Sequence, residues 1–151
     1  MIEMTTRANL QIRGVAETAL PALWADLRAL ELLDDSVETE ARRNIVLNPF
    51  RRVGGHGPDH EAIAQGVMRG LSRSALPALP GKFGFVVDVD LRCRHLADVS
   101  GDIRIETAEN GLILRADGAR LGRAVADEDE AAALALKLAR WFVKSGGVGA
   151  D

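Results

Sequence analysis

The fold class is decided in Ile103-Arg-Ile-Glu-Thr-Ala-Glu-Asn-Gly-Leu-Ile-Leu-Arg115, where Asn110-Gly111 stands between two strand-like runs. Asn-Gly between such runs is the strongest short-range signal for a β-hairpin, because both residues tolerate the backbone angles of a tight turn. The stretch therefore predicts an antiparallel hairpin.

Hydrophobic spacing predicts further elements on both sides of this hairpin. Asp127 and Glu130 have the spacing of a capping box, so a helix is expected to begin after Asp127 and to end at Gly146-Gly147. Toward the amino terminus, Leu10 and Ile12 are expected to face a core from a strand, and Thr18 to cap a helix with an apolar stripe. The predicted strands cover residues 8–15, 44–47 and 82–89, and the predicted helices cover residues 18–33 and 58–71.

This set of elements predicts an α+β fold, with an antiparallel β-sheet covered by about three helices. Residues 34–42 are polar and lack apolar periodicity, so they are expected to connect two lobes. Trp24, Trp141 and Phe142 fall on apolar helical stripes and are expected to pack in the core.

Composition excludes several classes of function. Nineteen Lys and Arg against 22 Asp and Glu give a net charge of -3, which does not suggest a nucleic-acid partner. No apolar segment reaches the roughly 20 residues that span a bilayer, so neither a membrane partner nor export is expected and the cytoplasm is the default location. Cys93 is the only cysteine, whereas a four-iron cluster takes four thiolates.

Local spacing alone predicts no metal site and no catalytic constellation. His56 and His60 are four residues apart, but Gly57 and Pro58 separate them, so the pair is expected in a solvated loop and helix start. Gly54-Gly55-x-Gly57 is expected to form a turn rather than an anion cradle. Cys93 is expected to be packed or idle, although Arg92 and Arg94 flank it. Asp88 and Asp90 are expected to be strand-end carboxylates.

Three ordered segments carry a family resemblance. They are Thr5-Thr-Arg-Ala-Asn-Leu-Gln-Ile-Arg-Gly14, Arg43-Asn-Ile-Val46 with Pro49, and Leu79-Pro-Gly-Lys-Phe-Gly-Phe85. Together they resemble the nitrite/sulfite reductase superfamily, and the third segment looks closest to its precorrin-3B synthase branch. The resemblance implies that residues 1–38 are the end of a ferredoxin-like half domain and residues 39–151 a tetrapyrrole-binding repeat.

The resemblance also implies a set of binding residues and cofactors. Arg7, Arg43 and Lys82, with Asn44 beside Arg43, match positions that bind an anionic tetrapyrrole, which is sirohaem or a corrinoid precursor in the family. Arginine suits such ligands because its guanidinium can make two parallel hydrogen bonds to a carboxylate. The full-length family also holds a 4Fe-4S cluster, which this chain does not ligate by itself.

Gly84 separates two branches of the family. Sulfite-reducing members resemble this chain but place a second lysine at that position, so Gly84 favours the precorrin-3B synthase branch. The sequence thus predicts a partial precorrin-3B synthase-like protein of cobalamin biosynthesis, an oxidoreductase family, that binds an anionic tetrapyrrole and is not catalytic alone.

Two alternatives stay open. One is a non-catalytic tetrapyrrole-binding or assembly module, and the other is a piece of a sirohaem-dependent nitrite or sulfite reductase. The expected partners, besides the tetrapyrrole, are a second copy of the chain or the missing half of the enzyme.

Overall fold

The computed structural model describes residues 1–5, 8–34, 36–50, 57–73 and 79–147. In chain order the elements are β1 (Ile2–Met4), β2 (Leu10–Ile12), α1 (Leu20–Ala29), α2 (Val37–Arg42), β3 (Ile45–Leu47), α3 (His60–Arg73), β4 (Phe85–Asp88), β5 (Ile103–Ala108), β6 (Gly111–Ala116), β7 (Arg123–Val125) and α4 (Glu128–Lys144). The class is α+β, as expected.

Five of the strands form one mixed sheet in the order β3-β4-β5-β6-β7. The predicted hairpin is confirmed: β5 and β6 pair antiparallel with Ala108 opposite Gly111, and Gly111 has a φ of 119°. That backbone angle strains a residue with a Cβ, so glycine suits the position. β7 continues the antiparallel half.

The expectation of an antiparallel sheet is wrong for the other half, because β3 pairs parallel with β4 and β4 pairs parallel with β5. Parallel neighbours need a crossover connection. α3 lies in the connection from β3 to β4, while residues 89–102 connect β4 to β5. The three parallel strands consequently begin at one end of the sheet, the amino-terminal edge, and finish at the opposite end, the carboxyl-terminal edge.

One face of the sheet packs against α3 and α4 and carries the main core. Phe85 and Val87 in β4 and Ile103 and Ile105 in β5 are almost completely buried there. The two helices approach closely, since a Cβ on Gly66 would lie 2.8 Å from the Cβ of Ala132. α2 contacts α3 and thereby joins this layer.

The connection formed by residues 89–102 covers the opposite face of the sheet. Leu96 and the half-buried Val99 form a small apolar cluster there with Val46 and Val86. β4 and β5 are therefore buried on both faces, and every side chain of β4 is buried. Charged side chains on this second face, at Arg104 and Glu106, are buried as well.

The amino-terminal segment has no core of its own. β1 and β2 pair with each other, and in the described residues 1–5 and 8–34 no residue is buried. The expectation that Leu10 and Ile12 face a core is wrong, since they are 67% and 40% exposed. In the apolar stripe of α1, Trp24 is 54% exposed, whereas Leu20, Leu23 and Leu27 are half-buried. Apolar spacing predicts an apolar face but not the surface that covers it.

Helix ends differ from expectation in two places. Ala19, not Thr18, is the residue that precedes α1, and it gives no side-chain cap. Part of the expected connection, residues 34–42, is instead the helix α2, whose first turn is capped by the hydroxyl of Ser36 accepting a hydrogen bond from the Thr39 amide. In α4 the expected cap by Asp127 is confirmed.

The carboxyl-terminal aromatic residues behave differently from each other. Phe142 packs on the main core beside Phe83, with ring centroids 5.0 Å apart. Trp141 is exposed, so the expectation that it packs in the core is wrong. Adjacent residues of a helix point about 100° apart, and only one of these two faces the sheet.

Candidate functional site

The amino-terminal edge of the sheet is the place where β3, β4 and β5 begin, and it brings together segments that are distant in the sequence. Arg43 and Asn44 precede β3, Lys82 precedes β4 and Asp102 precedes β5. Three of the four predicted binding residues therefore lie at this one edge. Arg7 lies outside the described residues.

Asn44 fastens the start of β3 to the segment before β4. Its side-chain amide donates hydrogen bonds to the carbonyls of Phe83, at 3.2 Å, and Lys82, at 3.4 Å. On the other side, the Gly84 amide donates to the carboxylate of Asp102 at 2.8 Å. The backbone that carries Lys82 is thus held from both neighbouring strands, and Asn44 acts here as a positioning residue.

Two cationic side chains are exposed at this edge. Lys82 is exposed, and the side chain of Arg43 is 43% exposed while its Nε donates to the carboxylate of Asp34 at 2.8 Å. The side chain of Asp34 is only 14% exposed, so this ion pair is half-buried and Asp34 is expected to remain a partner of Arg43. The exposed part of the guanidinium can still donate to a further anion.

Gly84 is a packing requirement of the same edge. A Cβ at this position would lie 3.0 Å from the side-chain nitrogen (Nδ2) of Asn44 and 3.5 Å from the backbone carbonyl oxygen of Asn44. Any residue with a Cβ here would require the Asn44 side chain to move by a few tenths of an ångström from the position in which it makes its hydrogen bonds. The geometry of this chain therefore favours glycine at position 84.

We expect Gly84→Lys to lower the free energy of unfolding by about 1–3 kcal/mol, the usual cost of overpacking. Urea denaturation followed by circular dichroism measures it. Gly81→Lys is the matched control, because a Cβ on Gly81 meets nothing within 4 Å, and its effect should stay within about 0.5 kcal/mol. Equal effects of the two substitutions would contradict the packing role of Gly84.

A buried ion network lies on the second face of the sheet. Arg104 is 1% exposed, and its Nε donates to Glu106 at 2.9 Å. Its Nη atoms donate to the carbonyls of Leu96, Val99 and Ala97 and to the carboxylate of Asp117. This set satisfies a guanidinium that has lost its water, which is the condition for burying one.

Glu106 is the acceptor at the centre of this network. Arg115 donates to it twice, from Nε at 2.8 Å and from Nη2 at 2.9 Å. Burial alone would raise the pKa of Glu106, but the hydrogen bonds from Arg115 and then Arg104 outweigh burial and lower the pKa. Arg94, 3.8 Å away, adds a further attraction. The carboxylate form is therefore favoured in the folded protein.

This shift predicts a pH dependence. Because the pKa of Glu106 is lower in the folded state than its ordinary value of 4.5, its contribution to stability is complete above about pH 4.5 and is lost as the pH falls through the lower, folded pKa. We expect the unfolding free energy of Glu106→Gln to fall less than that of the parent between about pH 6 and about pH 3.5. Urea denaturation at both pH values measures this. The control is Glu109→Gln, in the exposed hairpin turn, whose unfolding free energy should change with pH as that of the parent does. An equal decrease in the unfolding free energy of Glu106→Gln and of the parent would contradict the role of Glu106.

The opposite, carboxyl-terminal edge holds a second group of polar side chains. Asp88 at the end of β4 is buried and accepts from the Asn48 side chain and from the Leu96 amide, each at 2.8 Å. Between Asp88 and Leu96 the connection carries Asp90, Cys93 and His95. A carboxylate oxygen of Asp90, the sulfur of Cys93 and a ring nitrogen of His95 lie within 4.8 Å of one another.

These three residues were not expected to form a set. The spacing Asp-x-x-Cys-x-His after a strand is the signal that points to them. His56 lies outside the described residues, so the expectation of a solvated loop and helix start for His56 and His60 stays a prediction. His60 begins α3, and its Nδ1 is buried without a hydrogen-bond partner in the described part of the chain.

Comparison with protein families gives one match. Residues 1–30 match the nitrite/sulfite reductase ferredoxin-like half domain. The matched region contains β1, β2 and α1, and thus the segment without buried residues. Neither curated proteins nor solved structures gave a significant match. In the described residues, none of the helices combines the length and the apolar character needed to cross a membrane.

The cofactors linked to this family differ in how they suit the chain. A four-iron cluster needs four thiolates, and the chain has one cysteine, so the residues present do not fit it. An anionic tetrapyrrole needs exposed cationic groups, and the amino-terminal edge provides them in Arg43 and Lys82.

Proposed function

We propose that this chain is a precorrin-3B synthase-like component that binds an anionic tetrapyrrole at the amino-terminal edge of its sheet. The observation that carries the proposal is the link from Asn44 to the carbonyl of Lys82, which holds the exposed Lys82 next to the Arg43 segment. Peripheral carboxylates of the ligand would pair with Arg43 and Lys82, and Asn44 would position the two segments. The match of residues 1–30 to the nitrite/sulfite reductase ferredoxin-like half domain supports the family part of this proposal.

The role is binding rather than catalysis. Arg43 and Lys82 supply positive charge and hydrogen-bond donors, which orient carboxylates. Gly84 supports the precorrin-3B synthase branch over sulfite reduction, because the sulfite-reducing members carry a second lysine at this position, and a Cβ here would lie 3.0 Å from the Asn44 side chain.

Uroporphyrin, a tetrapyrrole with eight carboxylates, is a suitable probe. We expect saturable binding, followed by the change in its absorbance, and a Kd raised at least about tenfold in Arg43→Gln/Lys82→Gln, since each hydrogen bond to a charged group contributes about 1.5–3 kcal/mol. Lys137→Gln/Arg140→Gln is the matched control, because it removes the same charge from exposed positions of α4. Equal weakening by both variants, or no binding at near-millimolar probe, would contradict the proposal.

A second candidate function, assembly, is favoured by the exposed amino-terminal segment. A two-stranded hairpin and a helix of ten residues are marginal when isolated, yet large apolar side chains of this segment, including Ile2, Leu10 and Trp24, are exposed. A second copy of the chain, or another part of the proposed enzyme, would cover them. A purely monomeric chain in sedimentation velocity at high concentration would exclude the second copy.

A further inference from the structure

Three side chains of different chemistry converge just beyond the end of β4. The Nε2 of His95 lies 3.1 Å from the Sγ of Cys93 and 3.2 Å from an Oδ of Asp90. Cys93 is exposed, whereas the side chains of His95 and Asp90 are 25% and 20% exposed. A thiol, an imidazole and a carboxylate therefore share one small, solvent-accessible volume.

The spacing fits a shared metal ion. Bonds of about 2.0–2.3 Å from zinc to nitrogen, oxygen and sulfur put two ligands of a tetrahedral ion about 3.3–3.6 Å apart. The separations of 3.1 and 3.2 Å are within a few tenths of an ångström of those edges, and the third separation, from the Cys93 sulfur to the Asp90 carboxylate, is at most 4.8 Å. Rotation of the exposed Cys93 side chain would bring this third separation closer to a tetrahedral edge.

The same geometry argues against a cysteine nucleophile. In a nucleophilic triad the imidazole uses one ring nitrogen for the nucleophile and the other for the carboxylate, so that it can pass a proton on. Here the thiol and the carboxylate both approach Nε2, while Nδ1 is 3.9 Å from the Cys93 sulfur. Atoms that converge on one point suit coordination of an ion better than proton relay.

The fold holds the three ligands in place. Asp88 accepts a hydrogen bond from the Leu96 amide and so fixes the end of the connection behind the cluster. The hydroxyl of Thr107 in β5 donates to the carbonyl of Asp90.

Neighbouring groups also orient the ligand side chains. One oxygen of Asp90 accepts from the Arg92 amide at 2.8 Å, which turns its other oxygen toward His95. The ring of Phe50 packs on His95, with centroids 4.7 Å apart. Ligands supported in this way lose little entropy on binding.

The geometry points to a site for one zinc ion, ligated by Cys93, His95 and Asp90, with the fourth position taken by water or a small anion. A thiolate and a carboxylate balance the charge of Zn²⁺, and the mixed sulfur, nitrogen and oxygen set suits this borderline-soft ion. The site lies beyond the carboxyl ends of parallel strands, where ligands bind in open parallel sheets. It is at the opposite edge from Arg43 and Lys82, so it stands independently of the proposed tetrapyrrole site.

Cobalt(II) in place of zinc tests the inference with a direct spectroscopic readout. Addition of Co²⁺ to the reduced full chain is expected to give one equivalent of binding, intense visible bands of a four-coordinate ion and a near-ultraviolet thiolate-to-cobalt band. Zn²⁺ should bleach both and should protect Cys93 from alkylation by iodoacetamide. Absence of the thiolate-to-cobalt band, or unchanged alkylation with Zn²⁺, would overturn the site.

Variants assign the ligands. Cys93→Ser, His95→Ala and Asp90→Asn are each expected to raise the Kd for Co²⁺ more than about 100-fold, since loss of supporting groups alone costs about 10–100-fold. Asp98→Asn, an exposed carboxylate of the same connection, is the control and should bind as the parent does. Circular dichroism confirms that each variant folds, and parent-like affinity in any of the three ligand variants removes that residue from the site.

Discussion

Glu106→Ala is expected to lower the free energy of unfolding by about 3–5 kcal/mol, the usual cost of removing one partner from a buried ion pair. The substitution leaves the guanidinium of Arg104, which is 1% exposed, without its buried carboxylate. It also removes both hydrogen bonds from Arg115. Because small domains are stable by only about 5–15 kcal/mol, this loss should be visible as a much lower urea midpoint.

The control for this prediction is Asp117→Ala. Asp117 also accepts from Arg104, at 3.2 Å, but its side chain is 52% exposed, so water can replace it and the cost should stay near 1 kcal/mol or less. Glu106→Gln keeps the shape and should fall between the two, which provides a measurement if the alanine variant does not fold. A Glu106→Ala variant as stable as Asp117→Ala would show that the network contributes little.

Asp88→Ala is expected to cost about 3–5 kcal/mol, since it deletes two buried hydrogen bonds to a carboxylate, each worth about 1.5–3 kcal/mol. The partners left behind are the side-chain amide of Asn48 and the backbone amide of Leu96, both in buried residues. The hydrogen bond from the Leu96 amide holds the connection that covers the second face of the sheet. The variant should therefore also show faster hydrogen exchange at the Val99 amide, which donates to the Leu96 carbonyl, because the connection opens more often.

Asp98→Ala provides the comparison, since Asp98 lies in the same connection but is exposed. We expect it to change neither the unfolding free energy by more than about 0.5 kcal/mol nor the hydrogen exchange of the Val99 amide. If Asp88→Ala lost stability but its Val99 amide exchanged at the parent rate, Asp88 would support the core without holding the connection.

Local signals in the sequence were sufficient for the hairpin and for the cap of α4. In both cases the determining groups are within a few residues of each other: Glu109-Asn110-Gly111 closes the hairpin, and Asp127 accepts from the Glu130 amide. The parallel half of the sheet was missed because pairing of β3 with β4 depends on a crossover of more than thirty residues, which contains α3. Periodicity within each strand does not reveal the direction of its neighbour.

Burial was harder to predict than secondary structure. The alternation in Ile103-Arg-Ile-Glu106 is that of a strand with one charged face, and only the connection over that face buries Arg104 and Glu106. The opposite error occurred at Leu10, Ile12 and Trp24, which are apolar but exposed.

For the candidate sites too, the sequence indicates some of the residues but not how the fold brings them together. Family resemblance selected Arg43, Asn44 and Lys82, but their common edge follows from parallel pairing, which local patterns do not encode. For the cluster of Asp90, Cys93 and His95, the spacing was in the sequence, yet short spacings of this type are common. Convergence of the three side chains depends on the path of the connection over the sheet.

The lengths of the strands have a consequence for solubility. The central strands β5 and β6 have six residues each, whereas the edge strands β3 and β7 have three. A short edge presents few unpaired backbone groups to another chain, so it is a poor template for strand addition and amyloid growth. The short strands at both sides of the sheet therefore disfavour addition of strands from other chains.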